Sequence, residues 1–410
     1  MRFLANYLLN MRSLAVTLAL FVSTLQSGRR YGGDMDTRCV HITGTQSCQL
    51  LRLAREGKVV TAVRVDEVQL SSLDPSVRCL QDLNTPDLTR ILGIRDGYPL
   101  ELLIPGSKSR RWTSDLRTKV LSAPIPAGGF LELLPGTDTE NALHIPDGLR
   151  FFIEAPELAF VQRAHALKGC VARDVMSKHA ALLRLLEFGD ECCGWYTRNP
   201  HNPQKGKIRY DKPNECTRFA TPETIRAFVE NARHIDGLKL ARTACKYIID
   251  ESGSPMESYI NHGLALPPRL GGVSIGIPLA NKQLVTSEEI KASLKHSSLR
   301  PDMQWPELLT VVEYYGDEEH AGKPARIEDK NRMQDYATAG YAAFPLMFDD
   351  VRSAAALGKT IEMLAREFMK RGVSRELYRV RRILHDEDSR ARQTTLVATL
   401  LPPVMRYGNV

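Results

Sequence analysis

The chain has no C-x-x-C pair, no internal repeat, no low-complexity tract and no apolar run long enough to span a bilayer comfortably. Each absence removes a class. Without a repeat, the 410 residues are not an array of stacked units. Without a C-x-x-C pair or regular spacing, the eight cysteines (Cys39, Cys48, Cys79, Cys170, Cys192, Cys193, Cys216 and Cys245) do not read as a disulfide framework, and reduced, mostly buried thiols are expected. The adjacent Cys192 and Cys193 read as core packing rather than redox chemistry. A strong charge of either sign is also missing. The net charge of +7 permits a polyanionic partner without demanding one.

The N-terminus holds the longest apolar run, Leu14-Ala-Val-Thr-Leu-Ala-Leu-Phe-Val22, after Arg2 and Arg12. It is short for a membrane span and has the character of a signal-peptide core. Met35, by contrast, opens Met-Asp-Thr-Arg-Cys-Val-His-Ile, which reads like an ordinary start. Residues 1–34 are therefore either a leader or a start called too early. The second reading gives a cytoplasmic protein with no membrane partner. The first gives an exported one.

What is present is ordinary globular material, 43% hydrophobic and 25% charged, in a chain long enough for two or three domains. Helical spacing marks Thr43 to Arg55 and the short Thr85–Gly93 segment. Strand-like runs follow at Leu100–Ile104, Leu116–Leu121, Phe130–Leu134 and Leu149–Ile153, separated mostly by Gly and Pro. Pro156–Leu167 and Val175–Phe188 read as helices. Residues 35–198 thus form a mixed α/β region. An Asn-, Pro- and Lys-rich stretch after Cys193 reads as a linker, in which Arg198, Lys205, Lys207 and Arg209 are phosphate contacts or, more plainly, solvated charge. Thr221-Pro222-Glu223 then starts a helix with proline at its first position, and helical periodicity runs on to Ile249.

From Ser252 the pattern sharpens into a second region, 222–350, with a core at 252–350. Ser254-Pro-Met-Glu257 opens a helix. Strands are expected at Gly271–Ile277, Arg300–Trp305 and Leu309–Tyr315, a helix at Ala325–Ala339, and a last strand at Tyr341–Phe348. The order is α-β-β-β-α-β, and the expected fold class is α+β. A tight turn centred on Glu307 and Leu308 pairs 304 with 311 and 302 with 313. Asp302 and Glu313 then lie face to face, their Cβ atoms roughly 5 Å apart. Like charges so placed need something positive between them, and Mg²⁺ prefers such oxygen ligands. Carboxylates that hold one or two metal ions can neutralise a phosphodiester and activate water for its hydrolysis. Glu257, from the preceding helix, can complete the shell, although Ser254-x-x-Glu257 is also a capping box.

Pro301-Asp302 followed by Glu313 within this element order resembles the PD-(D/E)XK nuclease superfamily. More narrowly, Pro-Asp-Met-Gln-Trp-Pro-Glu with Val-Val-Glu-Tyr-Tyr-Gly-Asp-Glu-Glu-His resembles proteins related to the very-short-patch-repair endonuclease. The resemblance covers residues 252 to 350. Upstream, Ile153 to Ala164 and Leu185 to Tyr196 are similar to AbiEi-type regulator-like proteins. The resemblance implies Glu257, Asp302 and Glu313 as ligands of Mg²⁺ or Mn²⁺, the Tyr314 main-chain carbonyl as a further ligand, and His320 as a residue that orients water or contacts phosphate. It implies a DNA endonuclease, in phage defence or beside a toxin–antitoxin-type regulator. Tyr315 departs from the pattern, because the superfamily places Lys there and this subfamily Asp. Either Lys323 or Lys330 takes over the role, or the fold binds DNA without cutting it and the protein is a regulator. Residues 351–410 form a basic helical extension in which Arg375, Arg379, Arg381 and Arg382 cluster beside an apolar stripe. This is a solvated helix face first and a nucleic-acid face second.

Overall fold

The computed structural model describes residues 38–65, 70–83, 86–92, 99–138, 140–198, 218–316 and 323–402. The chain is a mixed α/β protein, as the α+β expectation requires. Its first region opens with strand β1 (Arg38–Ile42), helix α1 (Gly44–Glu56), β2 (Val60–Arg64) and the short α2 (Pro86–Leu92). Four strands follow, β3 (Leu100–Ile104), β4 (Leu116–Val120), β5 (Phe130–Pro135) and β6 (Leu149–Glu154). The six strands form one sheet in the order β2-β5-β6-β1-β3-β4.

Alternation along these strands builds two interiors, because successive side chains take opposite faces. Val40, Ile42, Leu102, Leu131 and Ile153 pack on one side with Leu50, Leu51 and Ala54 of α1. Leu103, Phe130 and Phe152 face the other side and join a larger core that runs through to Leu401. His41 is buried on that second face with its ring stacked 4.9 Å from Phe152 and edge-on to Phe130 at 4.8 Å. Burial lowers its pKa to about 4, so it is a neutral core residue.

The larger core is helical. It contains α3 (Pro156–Ala172), α4 (Lys178–Cys193), α5 (Pro222–Asn231), α6 (Leu238–Ala244) and α7 (Pro255–Ala265). The expected helix to Ile249 is two helices, because His234 and Gly237 adopt positive φ of 58° and 93° and turn the chain between them. Thr221 and Thr224 cap α5 reciprocally, with Pro222 in the first turn.

The second sheet has the order β10-β9-β8-β7, from β7 (Leu279–Ala280), β8 (Met303–Trp305), β9 (Thr310–Tyr314) and β10 (Ala342–Leu346). A short helix α8 (Glu288–Ser293) lies between β7 and β8, and α9 (Lys323–Thr338) joins β9 to β10. The β9–β10 pair is parallel, which a crossover helix makes possible. Met303, Trp305 and Val312 face the main core, whereas Val311 faces a small separate cluster with Tyr336 of α9. The basic extension forms α10 (Ala354–Lys370), α11 (Glu376–His385) and α12 (Glu387–Leu400), whose inward faces add Leu364, Leu377 and Leu396 to the main core.

One expected strand is absent. Gly271–Ile277 is not extended, because Gly271, Ser274 and Gly276 take φ of 88°, 53° and 103°. The segment instead folds back along the end of α7, where Leu266 and Leu264 carbonyls accept from the Ser274 and Ile275 amides at 3.0 and 2.9 Å. The glycine at 271 is required, since a Cβ there would come within 2.6 Å of the Arg392 carbonyl oxygen. The first strand of the second sheet is therefore only the two residues of β7.

The first sheet is stapled to the helical core through α1. Arg52 makes a two-pronged contact with the Glu191 carboxylate at 2.6 and 2.7 Å. Buried Arg55 donates to the carbonyls of Glu191, Gly194 and Tyr196 at 2.5, 2.5 and 3.0 Å. These carbonyls belong to the end of α4 and the turn after it, so one guanidinium holds both together. Replacing Arg55 with Leu keeps bulk but leaves them without this donor, at about 1–3 kcal/mol for each buried unsatisfied group. Urea denaturation of Arg55→Leu is expected to show a loss of at least about 3 kcal/mol. A loss below about 1 kcal/mol would show that water or the backbone replaces the guanidinium.

Candidate functional site

The hairpin register was legible in the sequence. Met303 pairs with Val312, Gln304 with Val311 and Trp305 with Thr310, which carries Asp302 opposite Glu313 one step further along. The turn closes through Leu309, whose amide donates to the Pro306 carbonyl at 3.1 Å and whose φ is 43°. The two acids do not confront each other as bare carboxylates. Asp302 Oδ2 accepts from the Tyr314 backbone amide at 2.7 Å. Glu313 in turn accepts from the backbone amide of Asp302 and from the Tyr336 hydroxyl on α9.

Glu313 is 3% exposed. Burial pushes its carboxyl up to about 7, the nearby Glu257 carboxylate adds to the rise, and the Tyr336 hydroxyl and Arg332 guanidinium oppose it. The side of α9 facing β9 presents Arg332 and Tyr336, one helical turn apart. Arg332 acts on both acids, and its own pKa is raised by Glu313, Tyr336, Tyr315 and Asp302 against its burial. Tyr315 is 8% exposed. Burial and the same carboxylates hold its hydroxyl far above the ordinary tyrosine value, so it stays neutral.

Glu257 sits in the first turn of α7, where its amide donates to Ser254 Oγ at 3.2 Å. Its Oε2 accepts from the Gly253 amide and from Asn281 Nδ2, both at 2.7 Å. Ser254 caps the helix, and the Glu257 carboxylate ties the residue before that cap to the residue after β7. Glu257 also acts electrostatically on Glu313.

The expected ligands do not fit a divalent ion as they stand. Among the described residues no group of three or more His, Cys, Asp or Glu side chains is arranged to hold a metal. Each of Asp302, Glu313 and Glu257 has at least one oxygen taken by the protein's own donors. The positive charge beside the pair comes from Arg332. No reaction step follows from a metal here.

His320 lies outside the described residues, as do Lys205, Lys207 and Arg209, and the side chain of Lys323 is likewise not described. Lys330 is exposed. Of the C-terminal arginines, Arg379 donates to the Val273 and Ser274 carbonyls at 2.7 and 3.1 Å and pairs with Glu376, and Arg381 pairs with Glu362 at 3.0 Å. Arg379 is structural, Arg381 makes a surface pair, and Arg375 and Arg382 are exposed.

Sequence reasoning assigned no site role to Arg332 or Tyr336. Their spacing of one turn, on the helix that crosses from β9 to β10, was the available signal. It also passed over His296, whose ring joins Asp335 and Glu328 of α9, each at 2.6 Å. Asp335 further accepts from the Lys295 and His296 amides, both at 3.0 Å, so the 294–299 loop is clamped onto α9, next to Tyr336.

No family model, no curated protein and no solved structure matches this chain. Among the described residues no helix is long and apolar enough to cross a membrane.

The Glu313 arrangement has a pH signature. A carboxyl whose pKa rises on folding binds its proton more tightly in the folded state. Its cost is therefore absent at acid pH and grows as pH rises from the unfolded value near 4.5 to about 7. Glu313→Gln keeps the acceptor for Tyr336 and cannot ionise. The variant is expected to gain on the order of 1–3 kcal/mol over the wild type between pH 5 and pH 8. Thermal unfolding across that range checks it, and an unchanged difference between the two pH values would mean that Glu313 is ionised throughout.

Proposed function

We propose that the chain is a DNA-binding protein of regulator type, in which residues 255–346 carry a PD-(D/E)XK-like fold that engages nucleic acid without metal-dependent cleavage. The carrying observation is the Glu313 environment. Tyr336 donates into the carboxyl, the Asp302 amide donates into it from the partner strand, and Arg332 stands where a nuclease needs a cation. The nuclease-like fold itself is supported by the order α7-β7-β8-β9-α9-β10, with one short extra helix, and by the antiparallel hairpin followed by a parallel crossover strand. Tyr315 fits the same reading, because a buried neutral phenol supplies neither the Lys nor the Asp of the pattern. The AbiEi-type resemblance of residues 153–164 and 185–196, which here fall in the end of β6, α3, and α4 with the turn after it, agrees with a regulator. DNA as the partner draws support from that resemblance and from the net charge of +7.

A second reading keeps one specific support. Asp302, Glu313 and Glu257 still come from the elements that a Mg²⁺- or Mn²⁺-dependent endonuclease would use, and Glu257 lies close enough to act on Glu313. One set of measurements separates the two. Fluorescence anisotropy with a labelled duplex in EDTA is expected to give salt-dependent binding, with the affinity falling steeply between about 50 and 200 mM salt. Incubation of supercoiled DNA with Mg²⁺ or Mn²⁺ is expected to leave it intact. Nicking that disappears in Asp302→Ala would establish the endonuclease instead, and no binding under either condition would remove both readings.

A further inference from the structure

A cavity of about 840 Å³ opens at the β1-β3-β4 side of the first sheet, between the start of α1, the β3–β4 connection and α3. Its size lies within the range of small-molecule sites, about 300–1,000 Å³. At its floor is Glu154, 1% exposed, whose Oε1 accepts from the Thr43 hydroxyl and whose carboxyl also accepts from the Gly44 amide at the start of α1. Burial pushes this carboxyl up to about 7, so near neutrality it offers both an acceptor and a donor to whatever reaches it. Glu154 and Arg163 both act on the buried Cys48 thiol, which places the acid and the arginine around one part of the wall.

The rim is cationic. Arg110 comes from the β3–β4 connection and Arg163 from α3, and both are exposed with no carboxylate partner among the described residues. Lys119 is held by Glu101 at 2.8 Å, and Asp236 is drawn to Lys168 at 3.2 Å and His165 at 3.7 Å. Arg110 and Arg163 are therefore left without a countercharge, Arg163 lying with its guanidinium 5.6 Å from the Phe188 ring centroid. Trp112, also in the lining, is 75% exposed, with the Arg117 guanidinium 4.0 Å from its ring centroid. An indole left this open at the mouth of a polar cavity is a stacking platform in search of a planar partner.

We infer that this cavity binds a nucleotide, with the base stacked on Trp112 and read by Glu154 and Thr43, and the phosphate taken by Arg110 and Arg163. The three parts demand one ligand. An inorganic anion uses the arginines and wastes the indole and the buried acid. An uncharged aromatic uses the indole and leaves the arginines idle. A planar heterocycle with N–H and C=O groups on its edge and a phosphate a few ångströms away engages all three. The nucleotide is either free or a unit of a single strand. The inference does not depend on the reading of residues 255–346, whose assays use duplex DNA.

Full-length protein is titrated calorimetrically with each of the four common 5′-nucleoside monophosphates, with inorganic phosphate and with a single-stranded deoxyoligonucleotide, and tryptophan emission is followed in parallel. Saturable binding of at least one monophosphate or of the oligonucleotide is expected, with an emission change that Trp112→Phe removes. Arg110→Ala with Arg163→Ala should weaken binding at least about tenfold, the loss of a charge-assisted contact. Glu154→Gln should alter the ranking of the bases. An oligonucleotide that binds more tightly than every monophosphate assigns the site to a strand, and the reverse order assigns it to free nucleotide. Absence of saturable binding to all of them, binding of phosphate as tight as any nucleotide, or unchanged affinity in the arginine double variant with native circular dichroism would each overturn the inference.

Discussion

A carboxyl buried against another carboxyl has to be neutralised, and the second sheet is organised around that requirement. The turn through Leu309 fixes the hairpin register, and the register leaves Glu313 no choice of neighbour. Taking an ion of this size out of water costs several kcal/mol unless donors replace the water. Two elements answer this: the partner strand through the Asp302 amide, and α9 through the Tyr336 hydroxyl and the charge of Arg332. Both side chains come from α9, so the packing of α9 over β9 is part of the electrostatic solution as well as of the apolar one. The His296 clamp beside this stripe supports it, because Asp335 and Glu328 hold the 294–299 loop against the same helix, where Leu294 and Leu299 pack with Tyr336.

Much of this was readable before any coordinates. Turn chemistry and a period of two gave the 302–313 pairing, since one slip of register would have turned every side chain of β9 to the wrong side. The helix α9 and the strands β3 to β6 were found near their observed bounds, and α3 and α4 were found without their last turn. Errors arose where backbone conformation overrode pattern. Gly271 to Ile277 has the composition of a strand, but its positive φ values are dictated by close approach to α12 and by carbonyls at the end of α7, which lie far away in sequence or in a different element. The strands β1 and β2 were missed because their mixed sequences, Arg-Cys-Val-His-Ile and Val-Thr-Ala-Val-Arg, gain their stability from neighbours in the sheet rather than from local preference. The candidate site was legible as to its acids and opaque as to its base. An arginine on a charged helix is indistinguishable from solvated charge until the helix is placed.

Glu154 and Glu313 set the same problem in two parts of the chain and receive similar answers. Each is almost fully buried, each takes one hydroxyl donor and one backbone amide, and each is pushed up to about 7 by burial. They differ in what lies beyond the donors. Around Glu313 the remaining space holds a guanidinium, a second tyrosine and the packed helix. Beyond Glu154 there is a cavity with two arginines and an exposed indole at its edge. A buried acid can be walled in on all sides, in which case it contributes to specifying the fold, or can line an opening, in which case a ligand can come up against it. By that criterion the second sheet is the more closed structure, and the first sheet holds the more open chemistry. The resemblance in sequence pointed at Glu313 because its motif is recognisable. Glu154 belongs to no motif and is distinguished only by what the fold leaves in front of it.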